Sequence, residues 1–292
     1  MTIQGTYTAL VTPFKGEKVD EDKLKELIEV QIGAGIDGIV PCGTTGESPS
    51  LNDDEHKRVV EITVRAAANR VPVIGGAGSN DTAVAVEYAR HCEEVGCDAI
   101  LSITPYYNKP TQAGLFAHFK TQAEATKLPV VLYNVPGRTG CSIDPETVAA
   151  LDKECENIAG LKDATGNIVY TMQCQRLTSD RFALLAGNDD IVHPLMAVGG
   201  QGVISVVSNL VPDRMKAVTA AFLAGDMAES LRRHLDLLPL CKALFMETNP
   251  IPIKTAMGLT GKCSGELRLP LVSMAEENKK RLKAVLLENG LL

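Results

Sequence analysis

A short apolar run rich in β-forming residues, closed by small or polar residues and followed by an amphipathic helical stretch, recurs eight times along the chain. This repetition constrains the fold more than any other feature. The runs cover 7–12, 38–42, 71–75, 99–103, 129–133, 158–161, 182–186 and 202–207. Between the first two, Leu24, Leu27, Ile28 and Ile32 share one helical face; after the third, Ala85, Tyr88, Ala89 and Cys92 do the same. Asn52, ahead of Asp53, Asp54 and Glu55, supplies an N-cap and first-turn acids for another helix. Strands alternating with helices form parallel sheets, and eight such units predict an α/β fold of the (β/α)8 TIM-barrel type over an open doubly wound sheet. The barrel is expected to occupy 1–224 and to carry the active site. From Gly225 onward only helical pattern appears, broken at Asn249-Pro250-Ile251-Pro252, so 225–292 is expected to be a helical C-terminal appendage.

With 45% apolar residues in a chain of 292, a core of this size can be buried. A formal charge of -7 without a basic cluster argues against nucleic acid or an anionic membrane as the main partner. No apolar stretch reaches bilayer-spanning length, and residues 1–9 lack the basic start and apolar core of a signal peptide, so a soluble cytoplasmic protein is expected. The eight cysteines form no C-x-x-C pair and the five histidines no pair at helical ligand spacing. Reduced packing thiols are therefore expected, with no metal and no other cofactor.

Chemistry in such a barrel gathers at the carboxyl ends of the strands. Lys162 closes the sixth run, where strict alternation puts it on one face with Ile158 and Gly160, opposite Ala159, Leu161 and Asp163. Apolar surroundings favour the neutral amine, the form that attacks a carbonyl carbon, so Lys162 is the candidate nucleophile; a lysine snorkelling to water is the alternative for that residue taken alone. Gly43-Thr44-Thr45-Gly46-Glu47 has the small residues that let backbone N–H groups approach a carboxylate, or else forms a plain turn. Tyr133 is a strand-end phenol able to pass a proton, and Arg138 follows a Pro-Gly turn with a fork suited to a carboxylate. Nucleotide signals fail. Gly76-Ala77-Gly78-Ser79-Asn80-Asp81 lacks the last glycine of a dinucleotide fingerprint, and Gly199-Gly200-Gln201-Gly202 precedes a strand instead of following one.

Five motifs in order carry a family resemblance: Gly43-Thr44-Thr45-Gly46-Glu47, Thr104-Pro105-Tyr106-Tyr107-Asn108, Tyr133-Asn134-Val135-Pro136-Gly137-Arg138-Thr139, Gly160-Leu161-Lys162-Asp163-Ala164-Thr165-Gly166 and Asn249-Pro250-Ile251-Pro252. From the first strand to the C-terminus the chain resembles the pyruvate-dependent class I aldolases of the dihydrodipicolinate synthase and N-acetylneuraminate lyase superfamily, and within it the dihydrodipicolinate synthases. The resemblance implies a lyase in which Lys162 forms a Schiff base with pyruvate, and the resulting enamine adds to L-aspartate 4-semialdehyde. It implies that Tyr133 moves the protons, linked through Thr44 to a Tyr107 that reaches in from a neighbouring subunit. Thr45 with the Thr44 backbone would hold the pyruvate carboxylate and Arg138 that of the semialdehyde, while the backbones of Gly187 and Ile204 line the pocket. A homotetramer of tight dimers is implied as well. Relatives acting on sialic or sugar acids generally lack an arginine matching Arg138, and the intact Lys162, Tyr133 and Thr44 weigh against a non-enzymatic barrel.

Many members of that family bind L-lysine in a cleft between subunits, at positions matching Ser48, Pro49, Asp53, His56, Gly78, Asn80, Val84 and Tyr106. His56, Asn80 and Tyr106 agree with the lysine-sensitive members. Val84 stands where they place a glutamate, and Asp53 where many have histidine. With the Asp53 carboxylate expected on the first-turn amides of its helix, an inhibitor ammonium lacks a partner, and the response to lysine is expected to be weak or absent.

Overall fold

In the computed structural model, which describes residues 2–292, all eight units are present. Strands β1 (Gly5–Ala9), β2 (Gly38–Val40), β3 (Ile74–Gly76), β4 (Ala99–Ile103), β5 (Val130–Asn134), β6 (Ile158–Asp163), β7 (Ala183–Ala186) and β8 (Gly202–Ser205) pair in parallel in the order β2-β1-β8-β7-β6-β5-β4-β3. The two ends of this sheet meet. Ile39 bridges Val73, the Ile39 N–H donates to the Pro72 carbonyl at 2.9 Å, and the Gly76 N–H donates to that of Pro41 at 3.1 Å. A Cβ on Gly76 would lie 2.2 Å from the Cys42 carbonyl oxygen, so the seam closes only because that residue has none. Pro72 cannot donate to a ladder and the Val73 N–H is taken by Asp98 Oδ2 at 2.8 Å, so β3 begins at Ile74 and not at the expected 71.

Helices α1 (Glu21–Gly33), α2 (Asp53–Ala67), α3 (Thr82–Val95), α4 (Gln112–Glu124), α5 (Pro145–Glu154), α6 (Ile168–Leu177), α7 (Val192–Ala197) and α8 (Pro212–Leu223) alternate with the strands. Period-two alternation then sorts the strand residues into two apolar layers. Tyr7, Val40, Ile74, Leu101, Val131, Tyr133, Leu185 and Ile204 form an inner cluster, while Ile39, Ile100, Leu132, Leu161, Leu184 and Val203 pack outward against Leu24, Ile28, Ala89, Leu115 and other helix residues. On α1 the buried face includes Gln31 along with Leu24, Leu27 and Ile28. Its carbonyl accepts from the Thr8 hydroxyl at 2.7 Å and its amide donates to Ser208 O at 3.0 Å, so burial leaves no polar group unpaired.

Strict alternation breaks in β6. Ile158 lies opposite Val130 but Gly160 lies opposite Val131, a one-residue register shift at Ala159. The shift sends Ile158 outward to the cluster that holds Leu161, and leaves Lys162 in register with the inner residues Tyr133 and Leu185. The expectation that Ile158 shares a face with Lys162 is thereby corrected; a bulge has no signature in the hydrophobic pattern.

A two-strand antiparallel ribbon, Phe14–Lys15 with Lys18–Val19, follows β1 and is too short to register as a periodic run. Beyond α8 come α9 (Met227–Ala243), α10 (Ile251–Leu259) and α11 (Glu276–Glu288). Among the described residues no helix is long and apolar enough to cross a membrane, and all eight cysteines are free.

Candidate active site

Lys162 sits near the carboxyl end of β6, 5% exposed, between Tyr133 of β5 and Leu185 of β7. Its Nζ lies 4.3 Å from the centroid of the Tyr133 ring. Among the described residues it makes no ion pair and no hydrogen bond, so nothing holds the amine away from an entering carbonyl. The second buried lysine, Lys254 of α10, is the contrast. Its Nζ meets Glu47 Oε1 at 2.6 Å and the Thr12 carbonyl at 2.9 Å, and it lies 4.0 Å from the Phe14 ring centroid. Burial pushes the Lys254 ammonium below its ordinary pKa, with Glu47 opposing that shift.

The loop after β2 is folded on itself. Gly46 and Ser48 N–H donate to Gly43 O, Glu47 N–H donates to Thr44 O, and the Thr12 hydroxyl holds Gly46 O at 2.6 Å. This leaves the N–H groups of Thr44 and Thr45 without an acceptor among the described residues, a pair of donors suited to an anion. Thr45 is buried, and its Oγ1 accepts from Asn249 Nδ2 at 2.9 Å. Arg138 belongs to the helical turn Pro136–Thr139 and is exposed, with Nη2 donating to Asn249 O at 3.1 Å.

A cavity of about 390 Å³ is lined by Thr44, Tyr133 and Arg138, and also by Ser48, Pro49, Gly78, Val84 and Tyr106. Residues implied for catalysis and residues implied for lysine binding therefore border one space in the single chain. Lys162, Thr45, Tyr107, Gly187 and Ile204 do not line it. The Gly187 N–H is spent on Asp163 O at 2.7 Å, and Ile204 belongs to the inner cluster of β8. Tyr107 is 89% exposed with φ of 70°, and no hydrogen bond links it to Thr44 or Tyr133 among the described residues.

Around the second group of positions, Asn52 and Glu55 form a capping box on α2, so the first-turn amides do not need Asp53. The Asp53 carboxylate accepts instead from the Tyr88 hydroxyl at 2.7 Å, which corrects the expected partner. His56 stacks on Tyr88 with ring centroids 4.1 Å apart. Its Nε2 donates to Gly76 O at 2.8 Å, which makes Nδ1 the acceptor for the Ser48 hydroxyl at 3.3 Å. Burial holds the His56 imidazole below its ordinary pKa. The Asn80 carbonyl accepts from Asn108 Nδ2 at 2.8 Å.

A model of the dihydrodipicolinate synthetase family matches residues 2–289. The chain belongs to that family. Within the dihydrodipicolinate synthetase family, the 4-hydroxy-tetrahydrodipicolinate synthase of Geotalea uraniireducens is 51% identical over 289 residues, covering 99% of each chain. The solved dihydrodipicolinate synthase of Aquifex aeolicus superposes with a TM-score of 0.98 at 45% identity, covering 99% of both chains. That of Acinetobacter baumannii, solved in complex with pyruvate, superposes at 0.97 with 40% identity over the whole of both chains.

Sequence reasoning gave no role to three residues that the fold of this family member brings to the site. Asn249 and Lys254 reach it from the C-terminal region across more than two hundred residues of chain. Asp189, at the end of β7, is buried and accepts from the N–H groups of Val206 at 2.9 Å and Val207 at 3.1 Å. Burial raises its carboxyl above the usual range, against the pull of Ser205, those amides and the charge of Lys162. An aspartate at a strand end was the only available signal.

Proposed function

We propose that this chain is a lyase that condenses pyruvate with L-aspartate 4-semialdehyde to give 4-hydroxy-tetrahydrodipicolinate, a step toward diaminopimelate and lysine. The observation that carries the reading is the buried Lys162 amine with no ionic partner, packed beside the Tyr133 ring. Family membership and a pyruvate-bound relative of the same fold support the choice of substrates. Lys162 Nζ attacks the keto carbon of pyruvate, water leaves, and a protonated imine forms. The imine draws electrons from the methyl group, which loses a proton and becomes an enamine. Its carbon adds to the aldehyde of the semialdehyde, and the aldehyde oxygen takes up a proton. The amino nitrogen of the second substrate then attacks the imine carbon, closing the ring and expelling Lys162 as free amine.

Tyr133 borders this path and serves as proton carrier, with Thr44 beside it and Tyr107 supplied by a second copy of the chain. The high exposure of Tyr107, whose hydroxyl bonds to nothing in its own chain among the described residues, supports that assignment. Thr45 and the two unpartnered N–H groups hold the pyruvate carboxylate, Arg138 holds the carboxylate of the semialdehyde, and the Gly187 and Ile204 backbones enclose the imine. The homotetramer and a cytoplasmic location belong to this proposal; eight unpaired thiols support a reducing compartment.

Reduction with borohydride in the presence of pyruvate tests the reading. The expected product is a single covalent adduct on Lys162, located by peptide mapping and abolished in Lys162→Ala. An adduct on any other lysine, or none, overturns it.

A further inference from the structure

Asn249 lies between the two carboxylate holders and touches both. Its Nδ2 donates to Thr45 Oγ1 at 2.9 Å, and its backbone carbonyl oxygen accepts from Arg138 Nη2 at 3.1 Å. The residue is 5% exposed and its Oδ1 has no partner among the described residues, so the amide is committed through its nitrogen alone. A threonine hydroxyl has one proton to give. With an Oγ1 lone pair taken by the Asn249 amide, and with no acceptor for the hydroxyl proton among the described residues, that proton is free to meet a carboxylate beside the unpartnered N–H groups of Thr44 and Thr45.

The helix that follows Asn249 is anchored to the same loop. Lys254, one turn further along, is fully buried against Glu47, and the other Glu47 oxygen accepts the Arg268 N–H at 3.1 Å. A buried ion pair gives little net stability over an apolar pair of the same volume, but it sets which segments face each other. Here it joins α10 to the loop that carries Thr44 and Thr45.

We propose that Asn249 is a positioning residue for both carboxylates: its side chain turns the Thr45 hydroxyl proton toward that of pyruvate, and its backbone carbonyl orients Arg138 toward that of the semialdehyde. This rests on the pyruvate reading above. The test uses pyruvate alone, measuring the concentration that half-saturates borohydride trapping on Lys162. Asn249→Ala and Thr45→Val are each expected to raise that concentration about tenfold, the scale of one hydrogen bond to a charged group. The double variant is expected to rise no further, because both remove the same bond. In a Thr45→Ser background, which keeps the hydroxyl, the penalty of Asn249→Ala should return. Asn249→Asp, equal in size, should do more harm than alanine, because a carboxylate takes the hydroxyl proton and repels the substrate; it also carries the test should the alanine variant fail to fold.

Native protein that is not trapped at Lys162 overturns the pyruvate reading and this inference with it. Native protein that is trapped, with Asn249→Ala and Asn249→Asp unchanged in half-saturation or with the double variant additive, overturns this inference alone.

Discussion

Two lysines are buried near the carboxyl ends of the strands, and their neighbours separate their roles. Lys254 is neutralised by Glu47 and held by a carbonyl, whereas Lys162 has an aromatic ring and no acceptor. A lysine in an ion pair is a structural cation; one without a partner can be a nucleophile. The strand-end position of Lys162 was legible from the apolar run that it closes. Lys254 was not, because its partner lies 207 positions away. Arg138 follows the same logic, its exposed guanidinium bonded to one carbonyl and otherwise open to a substrate. Arg138→Ala should lower kcat/KM for the semialdehyde roughly ten- to hundredfold, the range of a hydrogen bond to a charged group, while half-saturation of trapping by pyruvate stays unchanged. Steady-state kinetics beside pyruvate trapping reads both, and equal losses in the two would place Arg138 on the pyruvate side.

At the scale of elements, α10 does more than pack. Through Lys254 it grips Glu47, and the residue preceding Pro250 reaches Thr45 and Arg138, so the C-terminal helices complete a site otherwise built from barrel loops. Removing one member of a fully buried pair leaves the other as an uncompensated charge. Lys254→Met should therefore destabilise the fold by about 3–5 kcal/mol, read as a lower urea midpoint, and Lys254→Met combined with Glu47→Leu should recover most of that loss. A single variant as stable as the native chain would mean that water reaches Glu47. The bulge at Ala159 acts at the same scale by turning Ile158 outward and keeping Lys162 beside Tyr133.

For the whole molecule, the question is what the cavity shared by the two groups of positions binds. Ser48, Pro49, Gly78, Val84 and Tyr106 border the same cavity as Thr44, Tyr133 and Arg138, and the Asp53 carboxylate is engaged by Tyr88. An inhibitor ammonium arriving there finds valine at position 84 and an aspartate already bonded. One unpaired ammonium should cost roughly 2–5 kcal/mol, about thirtyfold or more in affinity, so lysine titrated into an assay with both substrates is expected to inhibit only weakly. Half-inhibition below millimolar lysine would mean that the cleft recruits another carboxylate. The sequence by itself determined the barrel, because eight repeats of strand pattern and helix pattern are local signals that each segment carries alone. For the same reason the strand-end positions of Lys162, Tyr133 and the Gly-Thr-Thr-Gly loop could be read without coordinates. Only the tertiary structure decided the capture of Asp53 by Tyr88, the burial of Lys254 against Glu47 and the bond from Asn249 to Thr45. Each joins residues far apart in the chain, and a pairing that exists only once the ring of strands has closed leaves no periodicity in either partner's own segment.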